Sequence, residues 1–425
     1  MSLPLLGAGM ATDGPSAVLD LNFASLLSLT PSVGPTPSFT RASTGTYFDA
    51  SGVLTTAAIN GPRFDHVYNG SSWVSKGLLV EEQRTNSVFY SEQFNLWTRS
   101  RCNATSDSIA APDGNTTADL LTTSISDAAN GPYVYSNNAP SGQTTVSSSI
   151  FVKKGNCDYL RFDLYDSAFS NGVFSKVNIS TGAIISTSSI GTGWAVTSSD
   201  IVNCGSGWYR VTLNATKPSG STTAILSSYS SAVAVNAVLG DTVYLWGAQI
   251  ETGSSFPTSY IPTTTATVTR SADVCQITGG DFSGFWNASE GSFAVEFDIM
   301  YADEYQSTTY LAYQSGTSWI GQRRSTGVGI YLDVYVSNIQ QARLIASSPT
   351  AGTLFRSAGS YKANDFACSF NGAAVLTDAV GSLPSPTSFT IGNFPTFGEY
   401  HNGHIARLRY FNTRLINSQL VALST

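Results

Sequence analysis

Charge is what this sequence has least of. Only 12% of its 425 residues are Asp, Glu, Lys or Arg, about half of the roughly 25% found in ordinary soluble domains. It has six lysines, a formal net charge of -7, and no basic stripe anywhere along its length. Gripping the phosphates of nucleic acid or an anionic membrane surface needs such a stripe, so neither partner is expected. No apolar run approaches the roughly eighteen residues of a membrane-spanning helix, so no membrane insertion is expected either. The opening MSLPLLGAGMATDG places no basic residue before its short apolar run, and Pro4 and glycines interrupt that run. It is a poor secretion signal, and the chain reads as soluble. The five cysteines, Cys102, Cys157, Cys204, Cys275 and Cys368, form no CxxC pair, which excludes a local zinc knuckle. They are expected to be buried structural thiols, with a disulfide between two of the first three as the alternative. Neither GxSxG nor GxxxxGK[ST] occurs, so a nucleophile elbow and a phosphate loop are both absent.

Ser, Thr, Gly and Asn fill the polar positions instead, and apolar residues recur with a period of two. Leu160, Phe162 and Leu164 alternate with Tyr159, Arg161, Asp163 and Tyr165. Val211, Leu213 and Ala215 alternate with Trp208, Arg210, Thr212 and Asn214. Further on, Phe293, Val295, Phe297 and Ile299 share a face, as do Ile330, Leu332 and Val334. Such alternation marks half-buried strands. Ser51-Gly52, Asn60-Gly61, Asn69-Gly70 and Asn371-Gly372 supply the tight turns. Only Asn417 to Leu423 reads as a short helix. In the stretch from Tyr244 to Val274, a strand with Tyr244, Trp246, Ala248 and Ile250 on one face gives way to Gly253, Pro257 and Pro262. Proline at this density holds neither helix nor central strand. The fold class expected is all-β: two β-sandwiches either side of this seam.

Three stretches carry a resemblance. WGAQIETGSSFPTSYIPTTTATVTRSADV looks like the join, in many bacteriophage virion proteins, between a carbohydrate-binding-module-like jelly roll and a following module. FTRASTGTYFDASGVLTTAAINGPRFDH (Phe39 to His66) with KGLLVEEQRTN (Lys76 to Asn86) is similar to the opening of phage fibre and spike proteins. NGHIARLRYFNTRLINSQLVAL (Asn402 to Leu423) resembles the closing strand and helix of a laminin-G or concanavalin A-like sandwich, and YKANDFACSFNGAAVLTDAVGSLP resembles a strand pair of the same module. The resemblance implies an N-terminal arm for virion attachment over 1–38, a β meander over 39–86 and a jelly roll over 87–255. A connector over 256–270 and a laminin-G/concanavalin A-like domain over 271–425 would follow. It also implies a structural protein on the virion surface (head fibre, spike, decoration or tail fibre), assembled in the host cytoplasm. Its expected partners are other virion proteins through the arm, sister chains in a homotrimer, and a host-surface glycan.

The nearest approach to a catalytic set is Glu296 and Asp298, two carboxylates on one face of a strand. Laminarinase-like glycoside hydrolases carry ExDxE or ExDxxE on such a strand, but here Met300 and Tyr301 stand where the second Glu would be. Without a second carboxylic acid the leaving group cannot be protonated. No enzyme and no cofactor are therefore expected, a glycan-cleaving depolymerase being the alternative. Laminin-G-like modules often bind calcium, but nothing in the sequence fixes its ligands, and the HxxH of His401 and His404 lacks a third metal ligand nearby. Arg41, Arg63, Arg84, Glu81 and Glu82 read as salt bridges tying the meander to the jelly roll. For glycan binding the candidates are Trp319, Arg323, Tyr400 and His401 on loops of the second sandwich, with Tyr159 and Trp208 on the polar-aromatic faces of the first. Aromatic rings stack on sugar rings while guanidinium and amide groups take the hydroxyls. The competing reading is that these side chains pack against a sheet or a sister subunit.

Overall fold

The computed structural model describes residues 16–139, 142–301 and 306–425. It is all-β: two sandwiches of antiparallel sheets, with three short helices and one 3-10 turn among the described residues. The jelly roll stacks the sheet Ala195–Asn203, Trp208–Thr216, Thr145–Lys154, Thr242–Thr252, Thr116–Thr123, Cys102–Ala110 on the sheet Ala183–Ile190, Gly172–Asn178, Tyr159–Tyr165, Thr223–Ser230, Tyr133–Ala139, Thr98–Ser100. Leu160, Phe162, Leu164, Val211, Leu213 and Ala215 meet in its core. The period-two reading of those strands holds because one face of each packs against the opposite sheet.

The other sandwich is assembled from both ends of the chain, which departs from the expected linear order of modules. Leu19–Leu21, from the expected arm, pairs with Tyr410 to Leu408 of the closing strand, and Phe23 after it is fully buried. Residues 1–15 of the arm lie outside the described residues. The meander is not a separate unit either. Trp73–Val80 pairs with the same closing strand Gly403–Phe411, Phe64–Tyr68 pairs beside it, and Ser38–Thr40 joins the opposite sheet along Val274–Thr278. Leu19, Leu21, Phe23, Leu78 and Val80 thereby fill one core with Phe293, Val295, Ile330, Leu332 and Tyr410. The jelly roll is an insertion in this sandwich. The chain leaves through Arg84–Asn86 and returns through Val268–Arg270, and the two segments pair antiparallel.

Two local expectations also change. The proline-rich connector has no strand before Val268, as expected, but its first part is built into the core, with Phe256, Tyr260 and Ile261 almost fully enclosed, while Thr264 to Thr269 is exposed. Side chains meet its backbone donors: Glu251 accepts from Thr258 N–H (2.8 Å), Glu81 from Ser259 N–H (2.7 Å), Gln249 from Ile261 N–H (2.7 Å) and Ser91 from Thr263 N–H (2.9 Å). In the strand before it, a bulge at Gly247 (φ 62°) shifts the register. One extra residue reverses the alternation, so Val243, Leu245, Ala248 and Ile250 face the core while Trp246 points out against Phe151 and Tyr260.

The expected salt bridges form, but they bind the meander to the sandwich it belongs to. Arg41 and Arg63 both contact Asp273, Arg63 also reaches Glu81 (2.7 Å), and Arg270 lies 3.5 Å from Glu81, all fully enclosed. All five cysteines are free and buried.

Candidate functional site

The outward face of the second jelly-roll sheet forms a trough of about 500 Å³. Because Leu160, Phe162 and Leu164 point inward, Tyr159, Arg161, Asp163 and Tyr165 must point out. Register then places Tyr133 and Arg161 on either side of Ser228, and Tyr135 and Asp163 on either side of Leu226. A loop closed by hydrogen bonds from Ser170 and Asn171 to Asp166 brings Phe169 over the end, edge-on to Tyr135 at 4.8 Å and 5.8 Å from Tyr165. Half-exposed rings thus surround a polar floor.

On that floor Arg161 Nε donates to Asp163 Oδ1 (2.8 Å) and its Nη2 donates to the Tyr165 hydroxyl (3.1 Å), while the guanidinium lies 4.2 Å from the Phe174 ring centre. Asp163 is fully buried, and its Oδ2 has no hydrogen-bond partner of normal geometry. Burial pushes its carboxyl up to about 6, against the opposing pull of Arg161. Fixed rings beside a guanidinium and hydroxyls match the two aspects of a sugar, its C–H face and its hydroxyl edge.

Of the residues expected to bind glycan, the structure brings only Tyr159 to this face, half-buried and one pair beyond Arg161, outside the trough itself. Trp208 is on the opposite sheet, 2% exposed, packed with Leu54 of the meander hairpin and donating to Ala110 O (3.3 Å). Trp319 is 4% exposed, stacked on Tyr335 (4.4 Å, 16°) and edged by Phe394. Arg323 is buried between Glu399 and Asp333, and His401 is fully buried beneath Phe297 with burial pulling it down to about 4. Tyr400 is half-buried in the short strand Glu399–Tyr400. These four do not form a loop site, because the Asn393–Phe394/Glu399–Tyr400 hairpin packs its aromatics onto the sheet instead. Tyr133, Tyr135 and Phe169 are not among the residues expected from sequence. Tyr-x-Tyr at 133 and 135 has the strand period, but Phe169 reaches the trough from a turn that no periodicity marks.

The carboxylates weighed for catalysis are spoken for. Glu296 pairs with Arg356 (3.3 Å), and Asp298 is held by Lys76 (3.1 Å) and His404 Nδ1 (2.7 Å). The other ring nitrogen of His404, Nε2, reaches Asp65 (3.0 Å), so both ring nitrogens are engaged. Burial alone would lower its pKa, but Asp298 and Asp65 together raise it to about 10. An imidazolium clamped between two carboxylates holds three strands together, Glu290–Ile299, Gly403–Phe411 and Phe64–Tyr68, and has no ring nitrogen left to move a proton.

No family model matches the chain, and no curated protein matches it. Solved structures give distant likenesses. The CBM40 domain of the Ruminococcus gnavus IT-sialidase, solved with alpha2,6 sialyllactose, is 11% identical over 34% of this chain and 88% of its own, at a TM-score of 0.29. Domain 4 of AbnA, a GH43 extracellular arabinanase from Geobacillus stearothermophilus solved with arabinotriose, is 15% identical over 40% of this chain and 82% of its own (TM-score 0.29). Domains LG4-5 of the mouse laminin alpha1 chain are 10% identical over 71% of this chain and 94% of their own (TM-score 0.24).

Proposed function

We propose that this chain is a non-enzymatic structural protein on the outer surface of a bacteriophage particle, displayed as a homotrimer, and that it holds host-surface glycans in the jelly-roll trough. The observation that carries glycan binding is the trough itself: Tyr133, Tyr135, Tyr165 and Phe169 standing around the Arg161–Asp163 pair. The virion setting rests on the resemblance of Phe39 to His66 with Lys76 to Asn86 to the opening of phage fibre and spike proteins, and of Trp246 to Val274 to the join found in phage virion proteins. Shallow sites of this kind bind weakly one at a time, so attachment relies on many copies and a high effective concentration. The engagement of Glu296, Asp298 and His404 in ion pairs favours the binding reading over a depolymerase. The test is a glycan array probed with the full chain displayed multivalently, beside a Tyr135→Ala variant, with a reducing-end assay on the polysaccharides that bind. Binding lost in the variant, without new reducing ends, is the expected result. Turnover of a bound polysaccharide, or binding indifferent to Tyr135, refutes the reading. Mass spectrometry of purified particles tests the location, and absence of the chain from them rejects it.

A further inference from the structure

A larger cavity, about 540 Å³, opens where the two sandwiches meet. Three parts of the chain line it: the meander strands, the outward face of the jelly-roll sheet that carries Trp208, and the end of the strand Glu290–Ile299 with the residues after it. Its size and its place between sandwiches are those of a small-molecule site. We propose that this cleft is a second binding site, separate from the trough, for a linear uncharged oligosaccharide.

The first reason is a fixed aromatic platform. Trp73 lies 4.9 Å from Phe48 and 5.5 Å from Tyr68, all three rings half-buried along the cleft. The indole is held between two glycines. A Cβ at Gly52 would stand 2.0 Å from its Nε1, and one at Gly205 would stand 3.2 Å from its Cζ2. One glycine comes from the meander and the other from the jelly roll, so the ring position depends on how the sandwiches sit together. Across the cleft Tyr301 stacks on Phe256 at 4.6 Å.

The second reason is charge. Glu81 is held by Arg63, Asp298 by Lys76 and His404, and Arg210 donates to Ser149 Oγ and Thr258 O, both at 2.8 Å. Asp200 is different: its carboxylate is exposed and accepts only from the next backbone N–H, that of Ile201 (2.8 Å), among the described residues. A lone negative charge at the cleft repels an anionic ligand.

The third reason is unmet hydrogen bonding. Asn214, 4% exposed, donates to Ser198 Oγ (2.9 Å) while its Oδ1 has no partner, and Arg210 Nε has none either. Turning the Asn214 amide over moves the unpaired atom without removing it. Arg210 and Asn214 lie on the same face of one strand with Thr212 between them, roughly 13 Å apart along it, so a donor and an acceptor wait at two separate points of the cleft. A hydroxyl donates and accepts at once and satisfies both kinds of group. Hydroxyls on an apolar, uncharged frame describe a neutral sugar chain.

Calorimetry on the full chain with neutral hexasaccharides (β-1,4-, β-1,3- and α-1,4-glucans) and a hexagalacturonate tests this. At least one neutral glucan is expected to bind, about tenfold or more weakly after Trp73→Ala and after Asn214→Ala, and unchanged after Tyr135→Ala. Near-UV circular dichroism identifies any variant that has lost its fold, and Asn214→Ala, which removes no ring, provides the second route. Failure of all three glucans to bind overturns the proposal, as does hexagalacturonate binding as tightly or binding that survives both cleft variants. Binding abolished by Tyr135→Ala alone overturns it while leaving the trough reading intact. Binding lost only in the cleft variants is the expected result, and the trough reading then stands or falls on the glycan array with Tyr135→Ala.

Discussion

Asp163→Asn should make the free protein more stable and its trough worse at binding. The carboxyl is fully enclosed, and burial raises it from 3.8 to about 6 even with Arg161 beside it. Keeping it ionised at neutral pH therefore costs roughly 3 kcal/mol relative to the unfolded chain, at about 1.4 kcal/mol for each tenfold change in protonation equilibrium. Asparagine keeps the shape without the charge. Arg161 loses an ionic partner, but its side chain is 31% exposed, so that loss is on the order of 1 kcal/mol or less. The net gain is about 2 kcal/mol, or roughly 4–8 °C in Tm for a domain of this size. Its pH dependence has a definite sign. Between about pH 4 and pH 6 the folded carboxyl keeps a proton that the unfolded one has released, so wild-type stability falls as pH rises through that window. The variant lacks this slope, so the two should converge below about pH 4. Urea titrations at pH 3.5, 5 and 7 measure the difference, and glycan titration at pH 7 measures the loss of a clamped Arg161. A variant less stable than wild type at pH 7, or a difference that does not shrink in acid, refutes the reasoning.

Arg63→Met should destabilise by about 3 kcal/mol or more, because it removes one charge-assisted hydrogen bond from each of Glu81 and Asp273 in a closed interior, at roughly 1.5–3 kcal/mol apiece, and leaves them Arg270 and Arg41 as ionic partners, and chemical denaturation will show whether it does. His404 contributes stability that is complete below about pH 6.5 and lost as pH rises toward its folded value of about 10. Alkaline titration of stability should therefore flatten in His404→Gln, and an unchanged slope would mean that another group titrates there. A fragment of residues 271–425 should not fold, since it lacks Leu19–Leu21 and Trp73–Val80 from its sheet and Leu19, Phe23, Leu78 and Val80 from its core. Replacing residues 87–267 by a short linker should leave the sandwich folded. Amide dispersion in NMR spectra distinguishes the two, and a well-dispersed spectrum from the fragment would contradict the insertion topology.

By itself the sequence determined which residues share a face. Period two is a property of the extended backbone, so Leu160, Phe162 and Leu164, or Ile330, Leu332 and Val334, went to cores without knowledge of any partner strand. Turn pairs such as Asn371-Gly372 were legible for the same reason: positive φ is a local demand, and Asn371 meets it at 45°. What covers a face is not local. Tyr159 and Trp208 occupy similar polar-aromatic patterns, yet one faces solvent beside the trough and the other is sealed under Leu54. Trp319 and Arg323 carry the residue types of a sugar site but lie beneath a hairpin from seventy-odd residues later, and the Gly247 bulge reversed a strand's faces through pairing with Thr145–Lys154. Only the tertiary structure decided that residues 19–21 and 408–410 share a ladder and that the jelly roll is inserted between them. Strand pairing is made by backbone groups that every residue carries, so the order in which strands meet leaves no mark in side-chain pattern and is set by burial across the whole chain.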